Sequence, residues 1–122
     1  LGTKVLGNQG EQAAAEALVQ KGYVIEARNF RVPVGEIDII ARRQGVLVFV
    51  EVKTRRSLHF GRPAEAVGWK KQQRIIRAAC WYLKWKHLEH MSCRFDVIEV
   101  YCTPAGSWSV QQLENAFELQ GG

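Results

Sequence analysis

The sequence predicts one mixed α/β domain, a mixed β-sheet flanked by helices in the order α-β-β-β-α-β-β. Three observations predict it. Two stretches carry helical spacing, five shorter ones are rich in Val, Ile and aromatic residues, and Gly or Pro marks several of the joins. With 122 residues, a single core is the default. Residues 1–110 read as its body and 111–122 as a strand end and tail. Hydrophobic residues at 47% and charged residues at 24% are ordinary for a globular protein and exclude a disordered chain.

Each element has a local reason. Asn8 is placed to cap a helix running from Gln9 to about Lys21, which Gly22 closes. Tyr23 to Phe30 reads as a strand, and Val32-Pro33-Val34-Gly35 as a connection, since proline and glycine both interrupt a ladder. Glu36 to Arg42 and Val46 to Thr54 are the clearest strands, joined by Gln44-Gly45 as a two-residue hairpin turn. Pro63 to Val67 predicts a short helical turn. From Trp69 to about His87 the period is helical, with Ile76, Ala79, Cys80 and Leu83 on one face. Arg94 to Tyr101 and Trp108 to Leu113 complete the strands.

Charge and composition narrow the function. No apolar run approaches the ~20 residues of a membrane span, and no basic-plus-apolar leader opens the sequence. A soluble cytoplasmic protein with no membrane partner is the expectation. Seventeen Lys and Arg against twelve Asp and Glu leave a formal charge of +5. Glu114 and Glu118 fall in a tail without basic residues, so the body is more basic still. Such a balance favours a polyanionic partner, nucleic acid before membrane. Cys80, Cys93 and Cys102 show no C-x-x-C spacing, which argues against a zinc knuckle or disulfide framework. His87 and His90 stand at i, i+3, but without a third ligand beside them they read as a solvated helix end.

The hairpin register concentrates the chemistry. With a two-residue turn Arg43 faces Val46, so Asp38 faces Glu51 and Glu36 faces Lys53. Alternation then brings Asp38, Glu51 and Lys53 out on one face, with Ile37, Ile39, Val48, Val50 and Val52 covering the other. Facing carboxylates repel across a strand pair, and must share a proton or hold a cation. Two oxygen donors suit a hard divalent ion such as Mg²⁺ (or Mn²⁺), and Lys53 beside them can orient a water or neutralise a phosphate. That is an arrangement for phosphodiester cleavage. An ion-pair cluster at a solvated strand end is the other reading of the same residues. Glu11 is similarly two-sided. It projects from the Ala14, Ala15 and Leu18 stripe toward the sheet, yet it also stands at capping-box spacing from Asn8.

Gly35-Glu36-Ile37-Asp38 followed by Val50-Glu51-Val52-Lys53 resembles the split D…E-x-K signature of restriction-endonuclease-like nucleases, the PD-(D/E)xK superfamily. The wider run resembles the bacterial YraN family. It comprises Gly7-x-x-Gly10-Glu11, Arg28-Asn29-Phe30-Arg31, Gly35 to Asp38, Phe49 to Arg55, Phe60-Gly61 and Arg94-Phe95-Asp96-Val97. The likeness covers about Gly7 to Val100. It implies a restriction-endonuclease-like fold related to archaeal Holliday-junction resolvases and a nuclease activity; with the oxygen donors and the basic charge, a Mg²⁺-dependent DNA endonuclease is the expectation. The likeness implies that Asp38, Glu51 and the Val52 carbonyl bind the metal, that Lys53 positions water, and that Glu11 approaches the same site. Ile37 stands where the superfamily motif has proline, a departure that the YraN pattern shares. By the same analogy a homodimer would supply two cuts, and whether a helicase or repair partner is needed is left open.

For the nucleic acid, Lys70, Arg74, Arg77, Trp81 and Lys84 recur along one face of the second helix. Such a stripe can follow a phosphate backbone or simply be solvated. Arg55, Arg56, Lys70, Lys71 and Arg74 adjoin the expected chemistry and are the expected phosphate contacts. Arg94 and Asp96 are expected to pair with each other or cap the sheet. The alternative to a nuclease is a non-catalytic module of the same fold that binds nucleic acid or a protein partner.

Overall fold

The computed structural model describes residues 3–55 and 67–118, the side chains of 3–5 excepted. The elements are α1 (Thr3–Gln20), β1 (Val24–Val32), β2 (Gly35–Arg43), β3 (Val46–Arg55), α2 (Trp69–Trp85), β4 (Ser92–Cys102) and β5 (Trp108–Phe117). The five strands form one sheet in sequence order, with β3 and β4 parallel and the other neighbours antiparallel. The predicted order α-β-β-β-α-β-β is the observed one. No helix among the described residues is long and apolar enough to cross a membrane.

The two helices lie on opposite faces. Ala14, Ala15 and Leu18 of α1 pack with Ile39, Val48, Val50, Ile98 and Val100. Ile75, Ile76, Ala78, Ala79 and Tyr82 of α2 pack with Ile40, Leu47, Phe49, Phe95 and Val97. Covering both faces explains why Val46 to Val50 is an unbroken apolar run, because a strand buried on both sides has no solvated position. Gln44 and Gly45 both take positive φ, 52° and 78°, as a two-residue hairpin turn requires. The register then runs from Arg43↔Val46 to Ile39↔Val50, as predicted.

Several local expectations are corrected. α1 begins at Thr3, so Asn8 lies inside the helix and caps nothing, and the Asn8–Glu11 capping box does not form. The helix does end at Gly22, whose φ is +92°; the Tyr23 N–H bonds to the Leu18 carbonyl at 3.0 Å and the Gly22 N–H to that of Val19. β1 reaches Val32 and β2 starts at Gly35, which pair directly, leaving only Pro33-Val34 as the turn. α2 stops at Trp85; His87 takes φ +56° and plays the closing role that glycine plays after α1. The buried face of α2 keeps Ile76 and Ala79, with Leu83 packed against the core, but widens to Ile75, Ala78 and Tyr82 and leaves Cys80 exposed. Tyr82 anchors the widened face, since its ring meets Phe30 and Phe49 edge-on and its hydroxyl donates to Glu26 at 2.7 Å. β5 continues past Leu113 to Phe117, which stacks on Phe95. The predicted turn from Pro63 lies, but for its last residue Val67, outside the described residues.

Candidate active site

The regular pairing of β2 ends where the chemistry begins. Ile39 and Ala41 face α1 while Ile40 faces α2, in strict alternation, yet Ile37 also packs on the α2 side. The alternation therefore slips by one residue at Asp38, and the expected place for Ile37 beside Ile39 is corrected. β1 shows a disturbance at the same rung. Arg28 pairs with Ile39 and Phe30 with Ile37, and Asn29 between them takes φ +52°. Asparagine is one of the few residues that visits the left-handed region at modest cost. β3 keeps its alternation, so Glu51 and Lys53 stay on the side of Leu47 and Phe49. In place of a further rung, the Val52 N–H donates to Asp38 Oδ2 at 2.8 Å.

Both helices close on this break. A Cβ on Gly10 would overlap Thr54 of β3, and one on Gly35 would overlap the Arg74 carbonyl of α2. Glycine at these two positions lets each helix backbone approach the sheet. The first approach delivers Glu11 from α1 and the second delivers Lys71 from α2. Glu11, Asp38, Glu51, Val52, Lys53 and Lys71 line one cleft of about 390 Å³, with Leu6, Gly7 and Thr54 completing its wall.

The cleft holds three carboxylates and two ammonium groups. Glu51 is 3% exposed; its Oε2 lies 2.5 Å from Lys71 Nζ and 3.9 Å from Lys53 Nζ. Burial, and next the charge of Glu51, push the Asp38 carboxyl up to about 7 against the opposing pull of the Val52 N–H. Glu11 is raised by burial and then by Asp38, and its Oε1 is buried without a hydrogen-bond partner. Lys53 is lowered by burial and then by the neighbouring Lys71. Burial also opposes charge on Lys71, but the hydrogen bond and charge of Glu51 leave its pKa raised. Negative charge is thus under-compensated on the Glu11–Asp38 side and neutralised on the Glu51–Lys71 side.

The structure brings Glu11, Asp38, Glu51, Val52 and Lys53 together. Glu36 does not face Lys53; it pairs with Arg31 at 3.1 Å, its partner across the β1–β2 ladder. Lys71 does more than adjoin the site, because its ion pair with Glu51 makes it part of the cleft. Lys70 and Arg74 are exposed and, with Lys71 and Glu36, border a second depression beside the first. Arg55 pairs with Glu99 at 2.9 Å, and Arg56 lies outside the described residues. Glu99 escaped notice in the sequence. It is fully buried, takes the Arg55 and Tyr101 side chains on one oxygen, and lies level with Lys53 in the parallel ladder. Only the β3–β4 pairing, which joins distant segments, reveals it. Arg94 and Asp96 form the expected pair, two bonds of 2.9 Å, and Asp96 also receives the Asn115 N–H.

Fold and site together define a mixed α/β protein whose chemistry-bearing side chains meet at an opening between two central strands. The chain belongs to the family described as "Uncharacterised protein family UPF0102", whose sequence model matches residues 10–100. It is 53% identical over 112 residues to a UPF0102 protein of Symbiobacterium thermophilum, covering 92% of this chain and 95% of that one. It is 47% identical over 116 residues to a UPF0102 protein of Syntrophotalea carbinolica, covering 95% and 94%. A UPF0102 protein of Dictyoglomus turgidum is 43% identical over 120 residues, covering 96% and 100%.

Proposed function

We propose that this protein is a metal-dependent DNA endonuclease that hydrolyses phosphodiesters, with branched or junction DNA as its favoured substrate. The observation that carries the reading is the convergence of Glu11, Asp38 and Glu51 with Lys53 in one cleft, at a break in the sheet that a purely structural chain has no reason to keep. Fold-level likeness to restriction-endonuclease-like nucleases and resolvases supports it only by analogy.

The donors fit a hard divalent ion such as Mg²⁺ or Mn²⁺. They are all oxygen, burial and next the charge of Glu51 raise the Asp38 carboxyl to about 7, a cost that a bound cation would relieve, and Glu11 has a buried oxygen without a partner. Among the described residues no group of three or more His, Cys, Asp or Glu side chains could hold a metal alone. Asp38 and Glu51 would therefore hold the ion with the Val52 carbonyl and water. When bound, the ion would supply Lewis acidity and charge stabilisation at the phosphate. Lys53 lines the same cleft, where it orients a water or takes its proton. Lys71 and Lys53 offset the charge that develops on the phosphate oxygens. Glu11 holds a water from the α1 side.

Cleavage of labelled four-way junction, flap, single-stranded and linear duplex DNA, with Mg²⁺, Mn²⁺ or chelator, tests the reading. Cutting that requires metal supports it, and binding without cutting on every substrate refutes it. One observation favours the alternative of a non-catalytic binding module: Lys71 already neutralises Glu51 at 2.5 Å, as a structural ion pair would. In that case a partner protein or nucleic acid is bound by the basic surface and the acids serve only the fold.

A further inference from the structure

The face of α2 turned away from the sheet carries a feature that cleavage chemistry does not use. Trp81 is 51% exposed and Trp85 59%, and large aromatic surface is seldom left in water without a partner. Together with Val34, Arg77 and Lys84 they line a groove of about 590 Å³. Trp85 is held in place, stacked on Phe30 at 6.2 Å, and Lys86 lies 4.5 Å from its ring centre. The helix carries Lys70, Lys71, Arg74, Arg77 and Lys84 and no acidic residue. At about 100° per residue, Lys70, Arg74, Arg77, Trp81, Lys84 and Trp85 fall within one stripe.

The stripe is continuous with the cleft. Lys71 lines both the cleft and the depression that Lys70 and Arg74 border, and Arg77 begins the tryptophan groove one turn on. From Lys71 to Trp85 the helix rises about 21 Å, roughly six nucleotides at the 3.4 Å spacing of a stacked strand. A track of cations beside exposed aromatic rings matches a single strand, whose bases have free π-faces, better than a duplex, whose bases are already stacked. A second copy docked face to face would set Lys70, Arg74, Arg77 and Lys84 against like charges, with no acidic residue on the helix to offset them.

We propose that the Trp81–Trp85 groove binds unpaired nucleotides and so directs the cleft to nucleic acid with a single-stranded portion. This rests on the nucleic-acid part of the proposed function but not on cleavage. The groove stacks a base on the Trp81 indole against the wall formed by Trp85, while Arg77 and Lys84 hold the flanking phosphates.

The test is binding in the presence of chelator, so that failure of the nuclease reading leaves it untouched. Fluorescence anisotropy compares labelled oligothymidylate with a linear duplex, for wild type, Trp81→Ala, Trp81→Phe and Trp85→Ala. Because Trp85 also packs on Phe30, the variants at exposed Trp81 are decisive. Trp81→Ala should weaken oligothymidylate binding about tenfold, with duplex affinity changed less than about twofold, and Trp81→Phe should restore most of the loss. Equal weakening of both probes, or no weakening, overturns the proposal. So does sedimentation showing a dimer that Trp81→Ala dissociates, since the groove would then be covered by a second copy.

Discussion

The main-chain N–H of Val52 donates to Asp38 Oδ2 across 2.8 Å, in the gap where β2 and β3 part. A side chain thereby replaces a ladder partner, and the carboxylate is fixed at the mouth of the opening. The same contact ties Asp38 to the residue between Glu51 and Lys53, so these three side chains are held at one short segment of β3.

Asp38→Asn should reduce metal-dependent cleavage by about 100-fold or more, as expected when a group acting on transition-state charge is lost. DNA affinity, carried by the basic helix face, should stay within about twofold. Parallel cleavage and anisotropy assays check both halves.

Without metal, stability should depend on pH through Asp38. Its folded carboxyl titrates at about 7, above the ~3.9 of an unfolded chain. The fold therefore holds the extra proton between those values, and stability is full below about 4 and falls as pH rises through about 7. Thermal melts in chelator should show this decline, and Asp38→Asn should flatten it. Added Mg²⁺ or Mn²⁺ should raise Tm most above pH 7, where the carboxylate is free to bind it.

Much of this site was legible in the sequence because local rules fix it. Gln44-Gly45 sets the turn, and the turn sets the register from Arg43↔Val46 to Ile39↔Val50. Hence Ile39 to Val50 was readable, and with it the meeting of Asp38, Glu51 and Lys53. The break at the Asn29–Asp38 rung was not, since it depends on neighbouring strands and a single positive φ. Its one local signal was an asparagine inside a strand. The start of α1 was misplaced for a related reason: the capping preference of Asn8 is a small term that a longer helix overrides. Lys71 and Glu99 needed tertiary packing, α2 against β3 and β3 beside β4.

Lys71→Ala should tighten Mn²⁺ binding by about three- to tenfold, because it removes the cation that competes for Glu51. Calorimetric titration measures this. Lys53→Ala should leave Mn²⁺ affinity within about twofold while slowing cleavage by about 100-fold.

Gly35→Ala should destabilise the protein by about 1–3 kcal/mol, since the new Cβ meets the Arg74 backbone rather than a movable side chain. Urea unfolding reads the loss. Pushing α2 outward also withdraws Lys71, so the remaining folded protein should bind Mn²⁺ more tightly, as Lys71→Ala does.

Asp96→Ala strips Arg94 of its buried partner on β4, on the α1 side of the sheet. A cost of about 3–5 kcal/mol in urea unfolding is expected for breaking such a pair. Cleavage per folded molecule should be unchanged, which separates the structural acid from those in the cleft.

The most direct measurement is single-turnover cleavage of the best-bound branched DNA by wild type and Asp38→Asn, each saturated with DNA, in Mg²⁺ and then in chelator. Cutting by wild type in Mg²⁺ alone, with the variant bound but inert, is the predicted result. Equal cutting by both proteins, or none by wild type with either Mg²⁺ or Mn²⁺, would contradict the assignment of Asp38 and Glu51 to a metal-dependent nuclease site.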